Sequence, residues 1–92
     1  MPPIPNEEPL IFGDIKTARE LGQIIRAYRK KQGLTLEKLS DLTHVGTRFL
    51  SELERGKETA ELGKALLILN KLGIVITLHP RTMIQPFAPH KK

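Results

Sequence analysis

The sequence predicts an all-α domain of four to five helices, closed by one C-terminal β-strand that pairs across a dimer. Three stretches carry that expectation. Leu34 to Gly56 holds two short amphipathic runs separated by a break. Glu61 to Leu72 is rich in leucine and isoleucine, and Ile74-Val75-Ile76-Thr77-Leu78 is β-branched, apolar and followed by Pro80. At 92 residues the chain has room for one small core and its tails. The expected organisation is a Pro-rich arm over residues 1–16, a folded domain over 17–80 and a basic tail over 81–92.

The arm carries Pro2, Pro3, Pro5, Pro9, Glu7 and Glu8, which favour extended or irregular backbone. Leu10-Ile11-Phe12 is an apolar island within it, suited to the core, to a partner or to a short strand. Thr17-Ala18-Arg19-Glu20 has the spacing of a capping box. A helix should follow to about Gln32, with Ala18, Leu21, Ile24, Ile25 and Tyr28 at helical spacing and Gly33 as its stop. Arg26, Arg29, Lys30 and Lys31 give its second half a basic face. Those charges suit the negative end of the helix dipole, and one of them is expected to reach phosphate.

The centre of the chain is LTLEKLSDLTHVGTRFLSELERG. Thr35 is placed to cap a helix over 36–42, in which Leu36, Leu39 and Leu42 recur every third residue and share one side. Thr43-His44-Val45-Gly46 breaks the pattern, and His44 stands where the turn needs positive φ. A second helix should run from Thr47 to Arg55, with Gly46 as its N-cap and Gly56 past its end. Leu50 and Leu53 face inward there, which leaves Thr47, Arg48, Ser51 and Glu52 looking out. Two short helices on a fixed turn form the helix-turn-helix pattern, whose second helix enters the DNA major groove. Thr47, Arg48, Ser51 and Glu52 are therefore the expected base-reading residues. A carboxylate among phosphates is costly unless it accepts from a cytosine amino group, so Glu52 is the ambivalent member. Lys38, Arg55 and Lys57 are the expected phosphate contacts. Glu54 and Arg55 also read as a surface ion pair, which contributes about 0–1 kcal/mol.

The leucine-rich helix over 61–72 has more apolar residues than one stripe needs. Leu62, Ala65, Leu66, Leu67, Ile68, Leu69 and Leu72 suggest burial both by the domain and by a second subunit. A lone strand cannot satisfy its own backbone groups. Leu69, Leu72, Ile74, Val75, Ile76 and Leu78 are accordingly the expected dimer interface, with the strand paired across a two-fold axis. In the tail, Pro86 and Pro89 oppose regular structure, while Met83, Ile84 and Phe87 are suited to docking on a partner.

By Leu34-Thr35, Glu37, Leu39, Val45, Leu50-Ser51, Leu53 and Glu54-Arg55-Gly56, the central stretch resembles the Cro/C1-type, lambda-repressor-like helix-turn-helix. Leu36 stands where that family usually has a phosphate-contacting Gln, and His44 where it usually has Gly. With SELERGK, a helix ending in Leu-Gly and the terminal IVITL, the chain from Thr17 to His79 is similar to HipB-type antitoxins. That resemblance implies a homodimer on a palindromic operator in double-stranded DNA. It also implies a HipA-like serine/threonine kinase toxin as partner, in a type II toxin–antitoxin module that represses its own operon. A stand-alone repressor is the alternative.

Composition agrees with a nucleic-acid partner and argues against other classes. A formal charge of +5 favours a polyanionic partner, or simply solubility. With no cysteine there is no thiolate nucleophile, disulfide framework or Cys-based zinc site. No cofactor or small-molecule substrate is expected. His44, His79 and His90 are scattered, and no acid pair, metal-ligand spacing or Gly-rich phosphate loop accompanies Ser40 and Ser51, so the chain does not read as an enzyme. No apolar run approaches the ~18 residues of a membrane span. The N-terminus lacks the pattern of a secretory signal, so a cytoplasmic protein is expected.

Overall fold

The computed structural model describes residues 14–80. The Leu10-Ile11-Phe12 island and the tail with Met83, Ile84 and Phe87 lie outside the described residues. Four helices follow one another: α1 (Ala18–Lys31), α2 (Leu36–Thr43), α3 (Thr47–Glu54) and α4 (Leu62–Leu72).

Side-chain chemistry sets the starts of α1 and α2. The Thr17 hydroxyl accepts from the Glu20 N–H at 3.0 Å, and the Glu20 carboxylate accepts from the Thr17 N–H at 3.2 Å, which closes the capping box. Thr35 caps α2 by accepting from the Lys38 N–H at 3.0 Å. The turn between α2 and α3 passes through His44 in the left-handed region, with φ 60°. Its N–H donates to Ser40 O at 2.7 Å, so a carbonyl that α2 would leave open is satisfied. At the end of α4 the Ile74 N–H donates to Leu69 O at 2.9 Å and the Gly73 N–H to Asn70 O at 3.0 Å, the paired bonds of a Schellman stop.

Ile25, Leu39, Leu50, Ile68 and Leu69 are the largest fully buried side chains, and Val45, Leu53, Ala65 and Leu72 complete the core around them. Each helix contributes one stripe to it, so α2 and α3 are fixed to each other through Leu39, Val45 and Leu50. Leu42 corrects an expectation, because it is 52 % exposed. Three residues fall about 60° short of a full turn, so by Leu42 the row begun at Leu36 has rotated away from the core. Thr43 takes the inward position instead: its hydroxyl donates to Leu39 O at 2.7 Å and accepts from the Val45 N–H at 3.3 Å.

The basic face expected on α1 loses one member. Arg29 is 6 % exposed and pairs with Glu54 at the end of α3. Its Nε and Nη2 donate to the two Glu54 carboxylate oxygens at 2.5 and 3.0 Å, and Nη1 donates to Leu34 O at 2.7 Å. A forked guanidinium on a carboxylate fixes orientation as well as distance. This also replaces the expected Glu54–Arg55 surface pair, since the Glu54 carboxylate is turned inward. Alongside it the two helices nearly touch. A Cβ added at Gly22 would lie 2.5 Å from both Leu53 O and Glu54 O, so only glycine permits the approach.

Residues 74–80 carry neither helix nor strand, and no β-ladder is present among the described residues. The expected strand is not formed among the described residues, which hold no second strand to complete a ladder with it. Gln32 secures the base of this segment, with Nε2 donating to Leu72 O at 2.8 Å.

Candidate nucleic-acid interface

α3 divides cleanly into two faces. Leu50, Leu53 and Glu54 are buried against α1, α2 and α4. Thr47 and Arg48 are exposed, and Ser51 and Glu52 are half-buried beside them. The Arg48 side chain is 91 % exposed and stands at the front of this row.

One carboxylate on this side bridges two cations. Glu52 Oε2 accepts from Arg48 Nε at 3.3 Å, and Glu52 Oε1 accepts from Lys57 Nζ at 3.0 Å. The hydrogen bond from Lys57, then that from Arg48, holds the Glu52 carboxyl below its ordinary value of 4.5. Arg55 Nη1 donates to Ser51 Oγ at 2.6 Å. Four of the expected DNA contacts, Arg48, Glu52, Lys57 and Arg55, thus lie on α3 or just beyond it, the first three joined through the Glu52 carboxylate and Arg55 paired separately with Ser51. Lys38 is exposed in the first turn of α2, and Thr47 opens α3.

The turn after α3 shapes this surface. Gly56 has φ 88°, and a Cβ there would lie 2.6 Å from Arg19 Cα. Both the left-handed backbone and the contact with α1 require glycine. The Lys57 N–H donates to Glu52 O at 3.1 Å, which brings the lysine back alongside the helix it follows.

The expected dimer residues separate into two groups. Leu69 and Leu72 are 2 % and 4 % exposed, so the single chain's own core already buries them. Ile74 is half-buried, while Val75, Ile76 and Leu78 are exposed. The apolar excess of α4 appears instead at Leu62, Leu66 and Leu67, all exposed. Their helical spacing from Leu69 did not separate the two sides, because α4 is apolar on both. A contact missed by sequence reasoning joins α3 to α4, with Lys64 Nζ 5.4 Å from the centre of the Phe49 ring.

Among the described residues no cluster of three or more metal-ligating side chains exists, and no helix is long and apolar enough to cross a membrane.

The helix-turn-helix family model matches residues 25–76, more than half of the chain. An uncharacterized HTH-type transcriptional regulator, y4mF of Sinorhizobium fredii, is 42 % identical over 64 residues, covering 70 % of this chain and 84 % of the relative. The transcriptional regulator ClgR of Mycobacterium tuberculosis is 35 % identical over 60 residues, covering 63 % of this chain and 54 % of its own. Among solved structures, a chain of the HipB–O4 20mer complex superposes with a TM-score of 0.71 at 21 % identity, covering 77 % of this chain and all (100 %) of that one. A chain of the HipA–HipB–O2–O3 complex gives the same TM-score, 0.71, at 21 % identity. These two are likenesses of fold. With its two short helices on a fixed turn and a polar row facing outward, the chain belongs to the Cro/C1-type helix-turn-helix family, whose members are sequence-specific DNA-binding transcriptional regulators and not enzymes.

Proposed function

We propose that this protein is a dimeric repressor of its own operon that reads a palindromic operator through α3 and neutralises a HipA-like serine/threonine kinase as its antitoxin. The observation that carries the DNA part is the division of α3. One side is locked into the core, and the other presents Thr47, Arg48, Ser51 and Glu52 with Lys57 beside them. Arg48 is assigned to a guanine, through O6 and N7, and Lys38, Arg55 and Lys57 to phosphates. A protein acting on the chromosome in this way works in the cytoplasm.

The dimer is supported by what the single chain leaves uncovered. Val75 and Leu78 are 84 % and 89 % exposed, next to a helix that also exposes Leu62, Leu66 and Leu67. Pairing of residues 74–78 with a second copy would satisfy the backbone and bury this surface together. Leu69 and Leu72 then support the interface from beneath. The antitoxin reading is supported by the likeness of fold to HipB chains, one of them in a complex with HipA. The names of y4mF and ClgR, both transcriptional regulators, favour the other reading, a stand-alone repressor.

Gel shifts on the protein's own upstream region test the first part. A salt-sensitive complex, absent on shuffled DNA, is expected, with half-sites about one helical turn (~34 Å) apart. Equal binding to shuffled DNA would refute it. Ile76→Pro removes a strand donor and should give monomers in sedimentation with the helices intact; a dimeric variant would refute the interface. Co-expression with the neighbouring gene separates antitoxin from simple repressor: a co-purifying, singly toxic kinase is expected, and its absence leaves the stand-alone repressor.

A further inference from the structure

We propose that Glu52 sets the selectivity of DNA binding by positioning Arg48 and Lys57, and that it reads no base itself. The proposal rests on the assignment of α3 to the major groove. Each carboxylate oxygen already accepts from a cation, Oε2 from Arg48 Nε and Oε1 from Lys57 Nζ. A cytosine amino group would have to share those oxygens with two cations, on a carboxylate whose side chain is only 24 % exposed. Remaining between them is the better arrangement, and the lowered pKa of its carboxyl reports the same preference for the charged form.

The geometry toward Arg48 is specific. Glu52 takes the Nε edge alone, and the terminal Nη1–Nη2 fork has no hydrogen-bond partner among the described residues. That fork is the part of arginine that can meet guanine O6 and N7 end-on. A carboxylate one helical turn further along α3 therefore braces the arginine from behind while leaving its reading end open. It also restrains the charge. Arg48 and Lys57 without Glu52 are two mobile cations able to follow any phosphate backbone. With it they are a bridged group of net charge one.

Two effects follow from one residue. Glu52 lowers affinity for arbitrary DNA, which depends on phosphate contacts, and sharpens the base pair that Arg48 reads. Position distinguishes Glu52 from an ordinary base reader: loss of Glu52 should relax the same base pair as loss of Arg48, not a second one.

Site selection from a randomised duplex pool, using the full chain and its Glu52→Gln, Arg48→Ala and doubly substituted variants, tests this. Thermal melts check that all four are folded. Glu52→Gln should bind a shuffled duplex several-fold more tightly at low salt, with a log–log salt slope steeper by about one. Its selected site should lose preference at the base pair that Arg48→Ala relaxes, and the double variant should be no less selective than Arg48→Ala alone. If Glu52→Gln relaxes a different base pair, Glu52 reads DNA directly and the proposal fails. If it leaves both the salt slope and the site unchanged, the proposal fails while the major-groove reading stands. If the natural chain itself enriches no site, that reading fails and the proposal with it.

Discussion

Glu52 and Glu54 sit two residues apart on one helix, and each is bonded to an arginine, yet they do opposite work. Glu54 faces the core, where its carboxylate has 4 % side-chain exposure and Arg29 has 8 %. Glu52 lies on the outer side, its own side chain 24 % exposed and that of Arg48 91 %. Removing one partner of a buried pair strands a charge away from water, and the cost falls on the fold. Removing one partner at the surface lets water take its place, and little stability is lost. One short helix thus separates attachment from recognition by the environment on its two sides, using the same pair of residue types.

The largest effect expected from this contrast is at Glu54. Glu54→Ala leaves Arg29 buried without its carboxylate and should cost about 3–5 kcal/mol in denaturant unfolding. Replacing both partners with apolar residues of similar size, Arg29→Met with Glu54→Leu, should recover most of that loss. A single variant as stable as the natural chain would break the comparison.

A smaller effect is expected beside it. Gly22→Ala puts a Cβ against Leu53 O and Glu54 O, both backbone atoms with no rotamer to yield. Strain of this kind costs about 1–3 kcal/mol, and the melting temperature should fall accordingly. Because α3 is displaced as a unit, operator binding should weaken as well.

The smallest effect is at Glu52 and is a matter of pH. Its folded value is depressed, so its contribution to stability is present above the ordinary glutamate value of 4.5 and is lost as pH falls through the lowered folded value. The group is at the surface, so the melting temperature should change little on that account. NMR titration of the Glu52 carboxyl should show a midpoint below the ordinary value. Lys57→Ala should raise it more than Arg48→Ala, following the order of the two hydrogen bonds. An ordinary midpoint in the natural chain would remove the contact from which the contrast is drawn.

What the sequence made legible was local. Thr17, Thr35, His44 and Gly73 mark helix ends through their own backbone and side-chain chemistry, and they act there as expected. The outward row of α3 followed from the inward positions of Leu50 and Leu53. Arg29 was harder, because charge type and periodicity disagree: it is basic, but it follows Ile25 by four residues and so lies on the buried stripe. Its partner is 25 residues away, and nothing local announces it. The pairing of Arg48 with Glu52 was available in the i,i+4 spacing. The reach of Lys57 back to Glu52 depends on the turn at Gly56 and appears only in three dimensions. On α4 the inner and outer leucines have the same chemistry, so only the packing distinguishes Leu69 from Leu66.

Base reading by the outer face of α3 in the major groove can be measured on one residue. The most direct measurement is the affinity of the natural chain and of Arg48→Ala for the selected operator and for a shuffled duplex, at one salt concentration. A loss of about 1–3 kcal/mol is expected on the operator, confined to one base pair per half-site, with little change on the shuffled duplex. An equal loss on both would make Arg48 a phosphate contact and contradict the assignment.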